Sequence, residues 1–331
     1  MQKIAGYLLW WFLYAISFIP KGAFYLLSDL FAFLMRCVFK YRTSTVAINL
    51  ARSFPDLKYD QLQKITKEYY HYMCDIFMES VWAISASPKQ LCKMVTVKNP
   101  QLMDDMCARH NKIIVMLGHR GNWELIGAFC GEKHNRKPES FANCRIMLGY
   151  KKANSAVSNF IFEKMRMHEY AKFGNKGHIV SSNSLLREIV KDKQKSIYVF
   201  IADQSPLLAR TVTSFLNQKT LMFTGAEDIA AKLDLPVVFL DIDRIARGRY
   251  EISFSTITES AAKEPKRYIT REYARLLEEG IMANKYNWLW SHKRWKRDLT
   301  PQEEQEFAEL SIMARQISHD KILDNSTHSS E

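Results

Sequence analysis

The sequence predicts an α/β fold: an α/β/α sandwich around a mixed, mainly parallel central sheet, plus an N-terminal membrane-anchoring helix. Three observations carry the prediction. Apolar runs rich in β-branched residues at 112–117, 196–202 and 235–241 are short and read as strands buried inside a sheet. Stretches with helical spacing lie between them, and strands alternating with helices give parallel sheets covered by those helices. The first residues instead form a run, 4–19, with no charge at all. With 331 residues, 47% of them hydrophobic, the chain can bury a large core. No repeat or linker divides it. The expected organisation is an anchor over 1–42, one domain over 43–314, and a polar, disordered tail over 315–331.

Residues 4–19 end at Pro20-Lys21-Gly22, and 23–39 is again apolar apart from Asp29 and Arg36. The first run falls slightly short of the roughly 20 residues that span a bilayer. Trp10, Trp11 and Tyr14 suit a membrane interface, and Lys21, Arg36, Lys40 and Arg42 after the run favour a cytoplasmic domain by the positive-inside rule. No small-x-small cleavage site follows, as a signal peptide would require. A buried helical hairpin of a soluble protein has the same composition. Pro55 ends the helix before it. Over 58–85, Leu62, Ile65, Tyr69, Tyr72, Met73, Ile76, Phe77 and Val81 recur at helical spacing, a core stripe that can also wall an apolar groove. A short helix over 99–110 leads to the central strand.

That strand ends at Gly118, and Gly121-Asn122 marks a turn, with Asn122 as N-cap of a helix over 123–130. His119 therefore sits where a strand stops and Glu124 in the first helical turn, at the kind of crevice where open α/β sheets bind ligands. An imidazole can take a proton from a hydroxyl near neutral pH, and a nearby carboxylate can fix its tautomer. No nucleophilic Ser or Cys is needed when the substrate brings its own hydroxyl and an activated acyl group. A solvated turn followed by a carboxylate at a helix N-terminus would look the same.

After a polar loop over 132–140, residues 141–148 predict a second strand, 154–173 an amphipathic helix, and 181–193 another helix capped by Ser181 or Ser182. The strand over 196–202 delivers Asp203-Gln204 at its end, as the central strand delivers His119. Asp203 is a second candidate for the site, or a turn-capping Asp. Gly225 opens a helix whose free N–H groups can face an oxyanion, or which is an ordinary loop-to-helix junction. A strand over 235–241 is followed by a half-exposed one over 250–257. Arg244, Arg247 and Arg249 lie in the turn between, facing solvent, phosphates or an acidic protein. A helix over 265–285 precedes an aromatic and basic ending, Tyr286 to Arg297, that suits an anionic lipid surface.

The net charge of +12 implies an acidic partner. Nucleic acid is the weakest of these, because no recognised binding motif is present. The six Cys are scattered without metal spacing and read as reduced core residues. No Walker loop or dinucleotide fingerprint appears.

His119-x4-Glu124, within Gly-His-Arg-Gly-Asn-Trp-Glu, resembles the HX4D/E motif of the glycerolipid acyltransferase superfamily, and its ending is most similar to the lipid A biosynthesis late acyltransferase family. Asn49-Leu50 with Phe54-Pro55, Asp203-Gln204, Phe215 with Thr224-Gly225, and Tyr286 to Lys296 are similar to further segments of that family, in its order. The resemblance covers roughly 1–298. It implies an O-acyltransferase on the cytoplasmic face of the inner membrane, using acyl carrier protein as donor and a lipid A precursor as acceptor, with no metal or cofactor. His119 would be the base, Glu124 its partner, and Arg120, Asn122, Asp203, Gln204 and Lys151 substrate-binding residues, with Arg120 a candidate for the oxyanion. A lysophospholipid or aminolipid acceptor, or a non-catalytic membrane-binding relative, are the alternatives. The family's Tyr-Arg pair after the second strand is replaced by Gly149-Tyr150, with Lys151 and Lys152 following, and Leu216-Asn217 departs from its Phe-Gly.

Overall fold

The two N-terminal apolar runs form two short helices, broken at Pro20 as the sequence suggested. The computed structural model describes residues 2–125, 144–150, 155–173, 178–181, 184–206 and 210–311. Gln2–Ile16 (α1) and Lys21–Phe33 (α2), the latter extended by a π turn over Leu34–Val38, meet at 118° across Pro20. No single helix among the described residues is long and apolar enough to cross a bilayer. Each helix buries one face: Gly6 and Trp10 of α1, and Phe24, Ser28 and Ala32 of α2. The other faces expose Leu8, Trp11, Phe12, Leu26, Leu30 and Phe33. Trp10 is therefore not free for an interface: it is buried, and its ring packs edge-on against His168.

Thr43–Ser53 (α3) stops short of Pro55, which cannot continue it. Tyr59–Ala83 (α4) carries the expected stripe, with Tyr69, Tyr72, Ile76 and Val81 buried while Phe77 stays exposed. The next elements are Pro88–Cys92 (α5), opened by a Ser87/Gln90 capping box, Val95–Val97 (β1) and Pro100–Arg109 (α6). Lys112–Leu117 (β2) follows, with five consecutive buried apolar residues from Ile113 to Leu117. Unbroken burial means that both faces of the strand are covered, and each such side chain contributes about 1.5–3 kcal/mol over leaving it in water.

The second strand runs Arg145–Tyr150 (β3), and the first three residues expected in it, 141–143, lie outside the described residues. Ala156–Lys172 (α7) is capped by Ser155. His178–Ser181 (β4) is a short strand that periodicity did not reveal, so the following helix starts later than predicted, as Leu185–Lys191 (α8). Ser196–Ile201 (β5) leads to a hairpin, Arg210–Phe215 (β6) and Gln218–Phe223 (β7), turned by Leu216 and Asn217, both at positive φ. That two-residue, left-handed turn matches strand twist, which explains the Asn. After Gly225–Leu233 (α9) come Val237–Ala246 (β8), Arg249–Thr258 (β9) and Tyr268–Ala283 (α10). The expected tail lies outside the described residues.

The seven-stranded sheet runs β1-β9-β8-β2-β5-β3-β4. Only β8 and β9 pair antiparallel, so it is mixed and mainly parallel. The register decides where the chemistry lies: Leu117 of β2 is opposite Ile201 of β5. Two residues further along each chain stand His119 and Asp203.

The β8–β9 tip is only partly solvated: Arg247 and Arg249 are exposed, as expected of such a turn, but Arg244 is not. Arg244 is buried against the carboxylate of Asp75, which lies at 1% exposure in α4, and Arg247 reaches both Asp75 and Asp29 of α2. Ser28 of α2 donates to Asp75 at 2.6 Å. The hairpin tip thus fastens α2 to α4. Removing one member of a buried pair leaves the other charge uncompensated, which costs about 3–5 kcal/mol. Asp75→Ala is expected to lower unfolding stability by that order in urea titrations, and to speed hydrogen exchange in α2.

Candidate active site

Parallel register brings the ends of β2 and β5 side by side, and Ala202 N–H closes the ladder on Leu117 carbonyl at 3.2 Å. Beyond it, Asp203 takes two hydrogen bonds from His119. The ring Nδ1 lies 2.6 Å from Oδ1, and the backbone N–H donates to Oδ2 at 2.8 Å. Trp288 Nε1 also donates to Oδ2 at 2.8 Å. Burial pushes the Asp203 carboxyl up, but the charge and hydrogen bonds of His119, with the Trp288 indole, outweigh it and hold it down to about 2. An ionised Asp203 keeps the imidazole proton on Nδ1, so Nε2 presents a lone pair. Gln204 Nε2 lies 3.3 Å from that Nε2, and the His119 side chain keeps 14% exposure.

Glycines make the approach feasible. A Cβ at Gly118 would come within 2.6 Å of Leu277 and 3.3 Å of Asp203 Oδ2. Gly121, at φ +62°, would drive a Cβ into the side chain and carbonyl of Ile242. The turn is thus pressed onto β8, in a conformation that favours glycine.

Glu124 does not pair directly with the His119 imidazole, as the motif had suggested it would. Both its oxygens are taken by Arg166 of α7, with Nε at 2.9 Å from Oε2 and an Nη at 2.7 Å from Oε1. This is the planar, bidentate geometry that suits guanidinium to carboxylate. Burial pushes Glu124 up, but the Arg166 charge and hydrogen bonds, with a smaller contribution from His119, bring it below its ordinary value. Trp123 links the two groups: its ring packs edge-on against His119 with centroids 4.9 Å apart, and its Nε1 donates to Glu124 Oε1 at 3.1 Å. The reason is local geometry. Residues 123–125 form a single 3-10 turn, which carries Glu124 toward α7 instead of back to the imidazole. Glu124, Arg166, His168 and Glu169 line a recess of about 310 Å³, open mouth included.

Three other expectations change. Arg120 is 2% exposed, with one Nη 2.5 Å from Asp241 and the other 2.6 Å from Asp243, so both Nη groups are committed to β8 rather than turned to an oxyanion, while its buried Nε has no hydrogen-bond partner among the described residues. Gly280 leaves room for that guanidinium. Asn122 is 1% exposed and donates to Glu79 at 2.8 Å, so it is a buried strut rather than a substrate contact. The aromatic and basic ending is largely interior. Trp288, Trp290 and Arg294 are each at most 1% exposed, and Arg294 donates to Thr220 at 2.8 Å, leaving Lys293 and Lys296 outside. At the head of α9, Thr224 donates to Asp228 at 2.8 Å. Lys151 and residues 126–143 lie outside the described residues, including most of the helix expected over 123–130.

Arg166, Trp288 and Glu79 were not singled out from the sequence. Arg166 is one of several cations on an amphipathic helix, 42 residues from its partner, and nothing local distinguishes it. His292, beside the site, is pushed down to about 4, first by burial and next, against the pull of Asp203, by Arg294.

A second, apolar groove of about 830 Å³, open mouth included, runs between α2 and α4, walled by Phe31, Met35, Tyr70, Met73, Phe77 and Met78. Its inner end reaches Tyr69 and Ser291, where Ser291 N–H donates to the Tyr69 hydroxyl at 2.9 Å. One turn along α4, Tyr72 donates to Gly121 carbonyl at 2.7 Å. The groove's lining thus comes within one helical turn of Tyr72, which holds the His119 turn.

Asp203 titrates lower folded than unfolded, so the stability it contributes is complete above its ordinary pKa of about 3.9 and is lost as pH falls through about 2. Acid titration of unfolding free energy is expected to show this loss in the wild type and a shallower slope between those values in Asp203→Asn.

A family model described as bacterial lipid A biosynthesis acyltransferase matches residues 2–297, nearly the whole chain. No curated protein matches it.

Proposed function

The chain belongs to the bacterial lipid A biosynthesis acyltransferase family, and from that membership and the site's geometry we propose that it moves a fatty acyl chain from an acyl thioester to a hydroxyl of a lipid A precursor. The observation that carries the reading is the imidazole of His119. It is paired through Nδ1 to a buried, ionised Asp203, so its Nε2, reached by the Gln204 amide, is the nitrogen that can accept a proton.

In this reading His119 Nε2 takes the proton of the acceptor hydroxyl as its oxygen forms a bond to the thioester carbonyl carbon. The tetrahedral intermediate collapses, the C–S bond breaks, and the leaving thiolate takes the proton back from Nε2. Ester and free thiol are the products, and no covalent enzyme intermediate forms. Asp203 stabilises the imidazolium between the two transfers. Gln204, whose amide nitrogen sits 3.3 Å from Nε2, occupies the place of the incoming hydroxyl; displaced by it, the amide can donate to the oxyanion, the task expected of Arg120. Glu124, clamped by Arg166, fixes Trp123 and through it the plane of the imidazole.

The groove between α2 and α4 suits the acyl chain, being almost wholly apolar and reaching Tyr69, one turn of α4 from the Tyr72 that holds the His119 turn. The exposed apolar faces of α1 and α2, with Lys3, Lys40 and Arg42 at their borders, suit the surface of an anionic bilayer on the cytoplasmic face of the inner membrane. Two helices bent at 118° and packed onto the domain fit a hairpin lying in the membrane plane. The basic surplus of +12 suits an acidic acyl carrier protein as donor.

His119→Ala is expected to reduce transfer from acyl carrier protein to a lipid A precursor by at least the roughly 10²–10⁴-fold of a lone acid–base group. Unchanged turnover would remove the enzyme reading. Arg166→Met removes the charge that holds Glu124 down, so Glu124 protonates at higher pH. The acid limb of the kcat/KM profile is expected to move to higher pH, while the alkaline limb stays in place.

A further inference from the structure

The turn that bears His119 is held from one side by a single helix. Tyr72 and Glu79 are seven residues apart in α4 and so lie on the same face of it. Tyr72 grips the turn by the carbonyl of Gly121, at 2.7 Å, and Glu79 grips it by the side-chain amide of Asn122, at 2.8 Å. Glu79 is 1% exposed and accepts two further hydrogen bonds, from Tyr25 of α2 at 2.9 Å and from Tyr250 of β9 at 2.6 Å. Asn122 stands between His119 and Glu124. Its Oδ1 is buried with no partner among the described residues, so Glu79 alone orients its side chain. From the other side, Gly121 N–H donates to Asn287 at 3.1 Å.

A buried carboxyl is an expensive way to fill space. Burial pushes Glu79 up in pKa, and the donors Tyr250 and Asn122, with the charge of Arg244, only partly offset that. An apolar side chain of similar volume would pack at lower cost, but it would give the Asn122 amide no directional partner.

We propose that Glu79 is a positioning residue for acyl transfer. Through Asn122 it fixes the turn between His119 and Glu124, so that the imidazole meets Asp203 in register. The inference rests on reading that turn as the reaction centre. It adds that α4, which also walls the apolar groove, sets the alignment of the base.

The test compares Asn122→Ala, Glu79→Gln and Tyr250→Phe in the full chain, with two readouts. The first is kcat and KM for transfer. The second needs no substrate: the downfield Nδ1–H resonance of the His119–Asp203 hydrogen bond, read by NMR in detergent-solubilised protein labelled with ¹⁵N-histidine. Asn122→Ala is expected to lower kcat by roughly 100-fold, the scale of a misplaced catalytic group, with little change in KM, and to broaden or shift the resonance. Glu79→Gln, which keeps one acceptor oxygen for the Asn122 amide, is expected to fall less. Tyr250→Phe removes a hydrogen bond to the same carboxyl but not to the turn, and is expected to leave kcat and the resonance unchanged while lowering Tm. If all three lower Tm and none moves kcat or the resonance, Glu79 is only structural and the proposal is overturned. If the wild type transfers no acyl chain, the functional reading fails on its own, and the resonance still decides: its loss in Asn122→Ala but not in Tyr250→Phe supports positioning, and its persistence in both overturns it.

Discussion

The hydrogen bond between His119 and Asp203 depends on strand register, and most of the molecule serves to keep that register. Leu117 and Ile201 are opposite each other in adjacent parallel strands, so residues two further along leave the sheet together. A slip of one residue would turn the next side chain of each strand to the other face and separate the pair. Continuous burial of β2 and β5 resists such a slip, because both faces of each strand are packed. Beyond the strands the chain must turn sharply, and it does so against β8 with glycine at a left-handed angle. The chemistry follows from the packing: an ionised carboxylate at a dry sheet edge selects one tautomer of a neighbouring imidazole and leaves its other nitrogen facing out.

Much of this was legible in the sequence, and what was not has a common cause. The strands 112–117 and 196–201 stood out as apolar runs because a strand covered on both faces must be apolar throughout. Their ends marked His119 and Asp203 as neighbours in kind. The pairing of partners was hidden, since hydrogen bonds between residues 84 positions apart leave no local trace. The motif linked His119 to Glu124 by proximity in sequence, whereas the folded chain gives His119 to Asp203 and Glu124 to Arg166. For the same reason Arg120 looked available to a substrate, and Arg244 and Arg294 looked like surface charges. Each is buried, paid for by carboxylates or by carbonyl and hydroxyl oxygens that arrive from other elements. The short strands Val95–Val97 and His178–Ser181 escaped because so few residues cannot display a period.

The N-terminal helices belong to this architecture more closely than an appended anchor would. Lys164 of α7 sits over the rings of Tyr7 and Trp10, while Tyr25, Ser28 and Asp29 of α2 enter the polar network of Glu79, Asp75 and Arg247. One wall of the apolar groove comes from α2 and its π turn. α1 and α2 are therefore in direct contact with the two helices that present Arg166 and Glu79.

The indole of Trp288 closes the carboxylate of Asp203, and its backbone bridges to Arg120 beside the imidazole. During synthesis, His119 and Asp203 leave the ribosome well before Trp288 does. A nascent chain therefore holds the imidazole and its carboxylate before it holds the indole that closes on them, so the pair cannot take its finished geometry until Trp288 has emerged.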